Sequence, residues 1–203
     1  IDQYLGAGLQ AISKKRADRV EKLTRPQRLR MAFEELGPTY IKLGQILSTR
    51  PDLVPADYLD ELARLQDEVP PFPFEDVKAV IESEFGLPAE EIFDQLDEQP
   101  LASASIGQVH KARIKDGEAV AVKFQRPGIQ KVIEVDLEIM LHLATLAERH
   151  IKEFEIHRPV KIVEEFARTL EKEIDYQIEA TYMERIARRF LKIPHVYIPA
   201  VFR

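Results

Sequence analysis

The middle of the chain changes from helical to strand-like periodicity, and this change constrains the fold more than any other feature. Three β-rich runs, 101–106, 108–114 and 119–125, follow one another, and residues 115–118 join the last two. The Asp-Gly pair in that join predicts a hairpin, because both central residues of a type I′ turn need positive φ. Helical patterns lie on both sides of the runs, which predicts an α+β fold with a small antiparallel sheet.

Apolar residues recur at helical spacing between residues 23 and 64, which predicts several short helices separated at Pro26, Pro38, Pro51 and Pro55. A further helix is predicted to end near Gly86, followed by a shorter one containing Ile92, Phe93 and Leu96. After the sheet we predict helices over 130–151 and 160–191, the second unusually long, and a last strand over 195–202. The proline-rich run 69–74 favours extended backbone, so the predicted domains are a helical extension, 1–70, and a mixed domain, 71–203.

The composition excludes several classes of function. The 203 residues are 45% hydrophobic and 32% charged, as in a globular protein, and the net charge of −6 without a basic stripe argues against nucleic-acid binding. Basic residues crowd the first thirty positions, where they form either a patch for anionic lipid or a partner, or a solvated helix face. Without cysteine there is no thiol chemistry, and the five histidines are too scattered for a metal site.

The ends of the chain and its hydropathy give two further expectations. No run approaches the roughly 18 to 20 apolar residues that cross a bilayer, so these residues are expected to be soluble. The chain starts at Ile1 and stops at Arg203 directly after a strand-like run, so we expect it to be an excerpt of a longer protein.

Two segments of the predicted sheet carry residues that suit nucleotide chemistry. The third run ends in Val-Ala-Val-Lys at 120–123, which matches the V-A-I-K pattern whose lysine holds nucleotide phosphates. An ordinary surface strand ending in Lys123 is the alternative. The loop 101–110 is rich in alanine and serine, and the hydroxyls of Ser103 and Ser105 either donate to phosphate or stabilise a turn.

Two helical segments carry further candidates. The acidic run 171–179 lies on the predicted long helix, where Asp175 and Glu179 would share a face and Glu173 would point away from it. Upstream, Lys42 and Gln45 project from one side of a helix. Glycine inside a helix costs about 1 kcal/mol relative to alanine, so Gly44 predicts close approach of a backbone or ligand, or else a kinked or fraying helix.

Taken together, these motifs resemble the UbiB family of atypical kinases, also described as aarF-domain or ADCK-type proteins. The resemblance covers the chain from about residue 30 to its end. It depends on four segments in the family's order and approximate spacing, namely Lys-Leu-Gly-Gln at 42–45, the alanine-rich loop 102–110, Val-Ala-Val-Lys at 120–123 and Glu-Ile-Asp-Tyr at 173–176. It implies a protein-kinase-like N-terminal lobe preceded by a helical extension.

The resemblance also implies roles for individual residues. Lys123 would contact nucleotide phosphates and pair with an acid, Glu179 by family pattern, although Glu173 stays open as the partner. Further nucleotide contacts would come from Ala102, Ser103, Ala104 and Ser105. The extension, through Lys42, Gly44 and Gln45, would fold over the cleft, meet Glu173 and Asp175, and disfavour protein phosphorylation in trans.

Cofactor, partners and location follow from the resemblance as expectations. The cofactor would be ATP or ADP with Mg²⁺, the metal ligands lying in a C-terminal lobe, and the clients would be isoprenoid lipid or quinone-biosynthesis proteins at a membrane surface. The location would be the cytoplasmic face of a membrane, or an organelle. Because the catalytic loop and its aspartates are absent, the chain has no catalytic residue of its own and is expected to lack ATPase activity.

The sequence leaves a second class of protein open and excludes a third. A non-catalytic scaffold or lipid-binding module that keeps the kinase shape is the main alternative, and intact metal ligands in the rest of the protein would favour the enzyme. A nicotinamide-binding Rossmann domain is excluded, because no G-x-G-x-x-G follows a strand and helices do not separate the strands.

Overall fold

The computed structural model describes residues 23–65, 70–115, 117–151 and 158–202. These residues fall into two compact units. The first contains the described residues up to Pro71 together with Pro100–Ser105, and the second contains Phe72–Gln99 and the described residues from Ile106 onward. The sequence did not indicate that a short segment from the middle of the chain belongs with the first unit. The basic residues before position 23 lie outside the described residues.

Among its described residues, the first unit contains the helices α1 (Arg25–Leu36), α2 (Pro38–Ser48) and α3 (Ala56–Leu62). Proline marks each start, since Pro26 and Pro38 lie in the first turns of α1 and α2, and Pro55 precedes α3. Proline is tolerated there because the first N–H groups of a helix have no intrahelical acceptor. The short helices predicted from proline spacing are therefore present, and Ile41, Leu62 and Leu65 form their buried core.

Gly44 lies where α2 packs against the rest of this unit. A Cβ at Gly44 would lie 2.2 Å from Leu65 Cδ1 and 2.8 Å from Phe33 Cδ2, so no larger residue fits without displacing these side chains. The neighbours of Gly44 within the first unit are apolar side chains, and the approach of a backbone or a ligand stays a prediction. Gly44 therefore acts as a packing residue in this unit.

The second unit begins with α4 (Phe74–Phe85), α5 (Ala89–Ile92) and strand β1 (Phe93–Leu96). Helix α4 ends as predicted at Gly86, whose φ of 67° is left-handed and favours glycine. The predicted short helix through Phe93 and Leu96 is wrong beyond Ile92. Phe93 and Leu96 instead pair with the strand that occupies 107–114, and burial of Phe93 in the core outweighs the weak local helical signal.

Strand β2 (Ala102–Ser103) belongs to the first unit, and the sheet of the second unit continues from β1 with β3 (Gly107–Ile114) and β4 (Ala119–Gln125). Strand β3 pairs antiparallel with β1 and with β4. The predicted hairpin is confirmed by the register from Gly107–Gln125 to Arg113–Ala119 and by the positive φ of Gly117, 84°, whereas Asp116 lies outside the described residues. The predicted strand over 101–106 is wrong except at β2, because the segment bends at 105–106.

After the sheet, the described residues of the second unit form the helices α6 (Ile129–His150), α7 (Pro159–Ile174) and α8 (Tyr176–Phe190). Helix α6 confirms the prediction over 130–151 and packs on α7. The single helix predicted over 160–191 is wrong, because Asp175 has extended backbone, φ −88° and ψ 94°, and separates α7 from α8. The strand predicted over 195–202 is also wrong, since these residues lack strand structure and much of their surface is exposed.

Apolar residues of α4, α5 and the sheet form the core of the second unit, with Val77, Ile81, Phe93, Ala112 and Phe124 buried. Among them lie two buried polar residues of β3, Gln108 and His110, which are 1% and 0% exposed. Gln108 Oε1 accepts from the backbone N–H of Phe72 at 3.0 Å, and Gln108 Nε2 lies 2.8 Å from His110 Nε2. Since His110 Nδ1 lies 2.7 Å from the Asp97 carbonyl, Nδ1 carries the proton and Nε2 accepts.

None of the helices in the described ranges combines the length and the apolar character needed to span a membrane.

Candidate functional site

Lys123 lies on the outward side of β4, opposite the buried face of the sheet. Residues alternate along this strand, so that Val122 and Phe124 turn towards the core while Lys123 turns away from it. Its ammonium, Nζ, lies 2.7 Å from Oε2 of Glu179, which belongs to the first turn of α8. The predicted pairing of Lys123 with Glu179 is therefore present, and the role of Lys123 as a phosphate ligand, rather than as an ordinary surface lysine, stays a prediction.

The Lys123–Glu179 ion pair is open to solvent, with the two side chains 38% and 49% exposed. An exposed pair of this kind contributes about 0.2–1 kcal/mol. It is therefore a weak contributor to folding, and the exposed ammonium keeps donors available for an anion. A lysine so placed suits phosphate, which it binds as a compact point charge.

Tyr176, the first residue of α8, supplies the second contact to the lysine. Lys123 Nζ lies 4.4 Å from the centroid of the Tyr176 ring, within the range of a cation–π interaction. Burial raises the pKa of the Tyr176 phenol to about 12, and the negative charges of Glu179 and Glu173 act in the same direction. The Tyr176 hydroxyl is shielded from solvent and has no hydrogen-bond partner among the described residues.

Gly107 makes room for Tyr176 at the start of β3. A Cβ at Gly107 would lie 2.4 Å from the Tyr176 hydroxyl oxygen and 2.4 Å from the backbone carbonyl oxygen of Phe124. Both distances are far below van der Waals contact, and one of the two neighbours is backbone that cannot rotate away. Glycine is thus required here for close approach of the phenol.

The junction between α7 and α8 is fixed from both sides. The Asp175 carboxylate accepts hydrogen bonds from the backbone N–H groups of Gln177 at 2.9 Å and Ile178 at 3.3 Å, which caps α8. Gln125 of β4 donates from Nε2 to the carbonyl oxygen of Ile174, the last residue of α7, at 3.0 Å. The face predicted for Asp175 on a continuous helix is therefore wrong, since Asp175 is an N-cap.

The second unit thus brings together Lys123, Tyr176 and Glu179, with Glu173 in the last turn of α7 and Asp175 next to it. The other predicted site residues belong to the first unit, namely Lys42, Gly44, Gln45, Ala102, Ser103, Ala104 and Ser105. Within that unit, Gln45 Nε2 donates to the Leu65 carbonyl oxygen at 3.3 Å, and Ser105 is buried. The Ser103 hydroxyl is shielded from solvent and has no partner in the part of the chain that the structure describes. That these residues share a nucleotide cleft with Lys123 stays a prediction.

Three contributors to the site were missed by the sequence analysis, namely Gly107, Gln125 and Tyr176. Two of them carried a signal. Gln125 follows Lys123 by two positions and so shares its face of the strand, and Tyr176 precedes Glu179 by three positions and so shares its face of a helix. No sequence signal shows that Gly107 contacts Tyr176. In the described residues no three acidic, histidine or cysteine side chains are grouped closely enough to hold a metal ion.

A small antiparallel sheet whose outward lysine is paired with a carboxylate of the adjoining helix is the arrangement of a protein-kinase-like N-terminal lobe. The chain belongs to the family of the ABC1 atypical kinase-like domain, whose model matches residues 64–203. The resemblance inferred from the four motifs is thereby confirmed, as is the fold class.

Curated relatives agree with this assignment. The chain is 46% identical over 180 residues to a "Probable protein kinase UbiB" of Marinobacter nauticus, covering 89% of this chain and 33% of that protein. It is 46% identical over 181 residues to a protein of the same name from Aeromonas salmonicida, with 89% and 33% covered. The chain therefore spans about a third of the length of these relatives.

A solved structure is similar over the whole chain. It is described as the complex of Rv3197 with erythromycin from Mycobacterium tuberculosis, and it matches with a TM-score of 0.57 and 28% sequence identity. The match covers 100% of this chain and 48% of the other.

Proposed function

We propose that this chain is the nucleotide-facing and regulatory part of an atypical kinase or ATPase that supports ubiquinone or related isoprenoid-lipid biosynthesis. The observation that carries the proposal is the contact of Lys123 Nζ with Glu179 at 2.7 Å on the outward side of the sheet. Family membership and the names of the relatives support the nature of the parent protein. The proposed location is a membrane surface, with a lipid or a quinone-biosynthesis protein as client.

The residues of the second unit fit the phosphates of ATP or ADP. Lys123 would hold the phosphates as a point charge, and Glu179 would orient the ammonium. Bound Mg²⁺ would neutralise charge on the phosphates, its ligands coming from a catalytic loop and an aspartate that this sequence does not contain. The chain on its own is therefore proposed to bind nucleotide without turning it over.

The first unit is proposed to supply the regulation. Lys42 and Gln45 of α2 would lie over the cleft close to Glu173 and Asp175, where an ordinary kinase receives a protein substrate. The loop 102–105 would add backbone and serine donors to the phosphates. The shielded, unpartnered hydroxyl of Ser103 supports this role, because a buried donor without a partner costs about 1–3 kcal/mol until it finds one.

The proposal is tested by measuring the affinity for ADP after Lys123→Ala. Hydrogen bonds to charged groups contribute about 1.5–3 kcal/mol, so the dissociation constant should rise about ten- to a hundredfold. Isothermal titration calorimetry with and without Mg²⁺ gives that constant, and a coupled assay measures turnover.

Lys78→Ala is the matched control. Lys78 is 39% exposed at its side chain, pairs with Glu75 at 3.3 Å and lies over the Phe74 ring at 5.2 Å, so it loses the same kinds of contact on the same unit as Lys123 does. The control should leave ADP affinity unchanged. Equal affinities for the chain and both variants would refute the nucleotide site and favour the scaffold reading. Magnesium-dependent turnover by the chain, lost in Lys123→Ala, would refute the predicted inactivity.

A further inference from the structure

Tyr176 lies between the ammonium of Lys123 and the backbone of Gly107. Its ring centroid is 4.4 Å from Lys123 Nζ, and its hydroxyl oxygen occupies the space where a Cβ on Gly107 would stand. One side chain therefore contacts both strands of the β3–β4 hairpin near its open end. None of the candidate roles assigned above accounts for this placement.

Lys123 needs an orienting contact beyond its ion pair. Fixing a lysine side chain in one rotamer costs about 2 kcal/mol of conformational entropy, whereas an exposed ion pair such as Lys123–Glu179 contributes only about 0.2–1 kcal/mol. A ring beneath the ammonium restricts the lysine from a second direction. Tyr176 and Glu179 can act together because they lie three positions apart on one face of α8.

The base of Tyr176 is itself held in place. The Asp175 carboxylate caps the first turn of α8, and Gln125 anchors the preceding helix end to the strand that carries Lys123. The ring is thus positioned by the same strand whose lysine it contacts. A rigid support of this kind is what keeps a binding group in its productive geometry.

We propose that Tyr176 is a positioning residue, and that its aromatic ring sets the direction of the Lys123 ammonium towards an anionic ligand. This inference rests on the proposed nucleotide site for the nature of the ligand, which is a nucleoside diphosphate or triphosphate. The contact with the Lys123 ammonium is made by the ring, whereas the hydroxyl oxygen lies against Gly107. Tyr176→Phe should therefore keep the direction of the Lys123 ammonium, and Tyr176→Leu should lose it.

Lysine NMR tests the positioning without nucleotide. Aromatic ring currents displace the resonances of a methylene group held over a ring face, so the Lys123 Hε and Cε signals in the ¹³C-lysine-labelled chain should be shifted upfield. The Lys123→Arg spectrum assigns these signals. The displacement should persist in Tyr176→Phe and in Glu179→Gln, and it should disappear in Tyr176→Leu, with Lys78 over Phe74 as an unchanged internal reference.

The affinity for ADP tests the consequence. An exposed cation–π contact contributes about 0.5–1 kcal/mol, so Tyr176→Leu should weaken binding about two- to fivefold while Tyr176→Phe matches the unaltered chain. A Tyr176→Phe variant that loses the lysine displacement or the affinity would overturn the proposal, as would a Tyr176→Leu variant that keeps both. Absence of ADP binding with the Lys123 displacement intact would overturn the proposed nucleotide site, and it would support the positioning role.

Discussion

Replacing Gln108 by methionine should destabilise the second unit strongly, although the two side chains are similar in length. Gln108 is 1% exposed and makes three contacts. It accepts from the Phe72 N–H at 3.0 Å, donates to the Phe72 carbonyl at 3.3 Å, and lies 2.8 Å from His110 Nε2. Methionine fills the volume and offers none of these hydrogen bonds.

The magnitude follows from the groups that are left behind. The Phe72 N–H and His110 Nε2 would both stay buried without a partner, and each such group costs about 1–3 kcal/mol. The free energy of unfolding should therefore fall by about 2–6 kcal/mol. His110 has no rotation available to escape the cost, because Nδ1 is bonded to the Asp97 carbonyl and the ring packs between Phe74 and Phe124.

Urea unfolding followed by far-UV circular dichroism measures the change, with Gln95→Met as the matched control. Gln95 lies in the same sheet, on β1, but its amide donates to Asp97 Oδ1 at 2.8 Å on an exposed surface. Surface substitutions of this kind usually stay within about 0.5 kcal/mol. If both variants unfold at the same urea concentration, the hydrogen bonds of the buried Gln108 amide do not stabilise the second unit.

Two further predictions concern the α7–α8 junction. Asp175→Ala should lower the free energy of unfolding by about 0.5–2 kcal/mol through loss of the N-cap, while Asp175→Asn should keep most of it, as urea midpoints of the two variants would show. Because the Tyr176 pKa is raised from 10.0 to about 12, the unfolded chain releases the phenol proton first, so stability should fall as the pH rises from about 10 through 12. Tyr176→Phe should remove this part of the pH slope of the unfolding midpoint, and an unchanged slope would contradict the assignment.

Single residues in the sequence predicted many of the boundaries of helices and strands. Proline marked the helix starts at Pro26, Pro38 and Pro55, Gly86 marked a helix end, and the Asp-Gly pair marked the hairpin. These features depend on backbone preferences of single residues, which hold in almost any surroundings. The segment Phe93–Leu96 was mispredicted because its strand exists through pairing with β3, which no local pattern shows.

The sequence predicted which charged residues form the candidate site, but it did not predict how the helices place them. The resemblance to the UbiB family implied that Lys123 pairs with Glu179, with Glu173 left open, and the structure pairs Lys123 with Glu179. The break at Asp175 was missed because an acidic run is typical of a continuous solvated helix. Aspartate also serves as an N-cap, and the sequence does not distinguish the two uses. Because the placement of Tyr176 depends on this break, the sequence did not predict it either.

The break between α7 and α8 explains why this lobe needs Gln125 and Asp175 as well as its lysine. A continuous helix would satisfy the carbonyl of Ile174 and the N–H groups of Gln177 and Ile178 within itself. Once the helix is interrupted, those groups need other partners, and Gln125 and Asp175 supply them. The interruption starts a new helix at Tyr176, whose first turn directs both the ring and the Glu179 carboxylate towards Lys123. The acidic motif is thus a structural joint whose hydrogen bonds set the direction of the lysine.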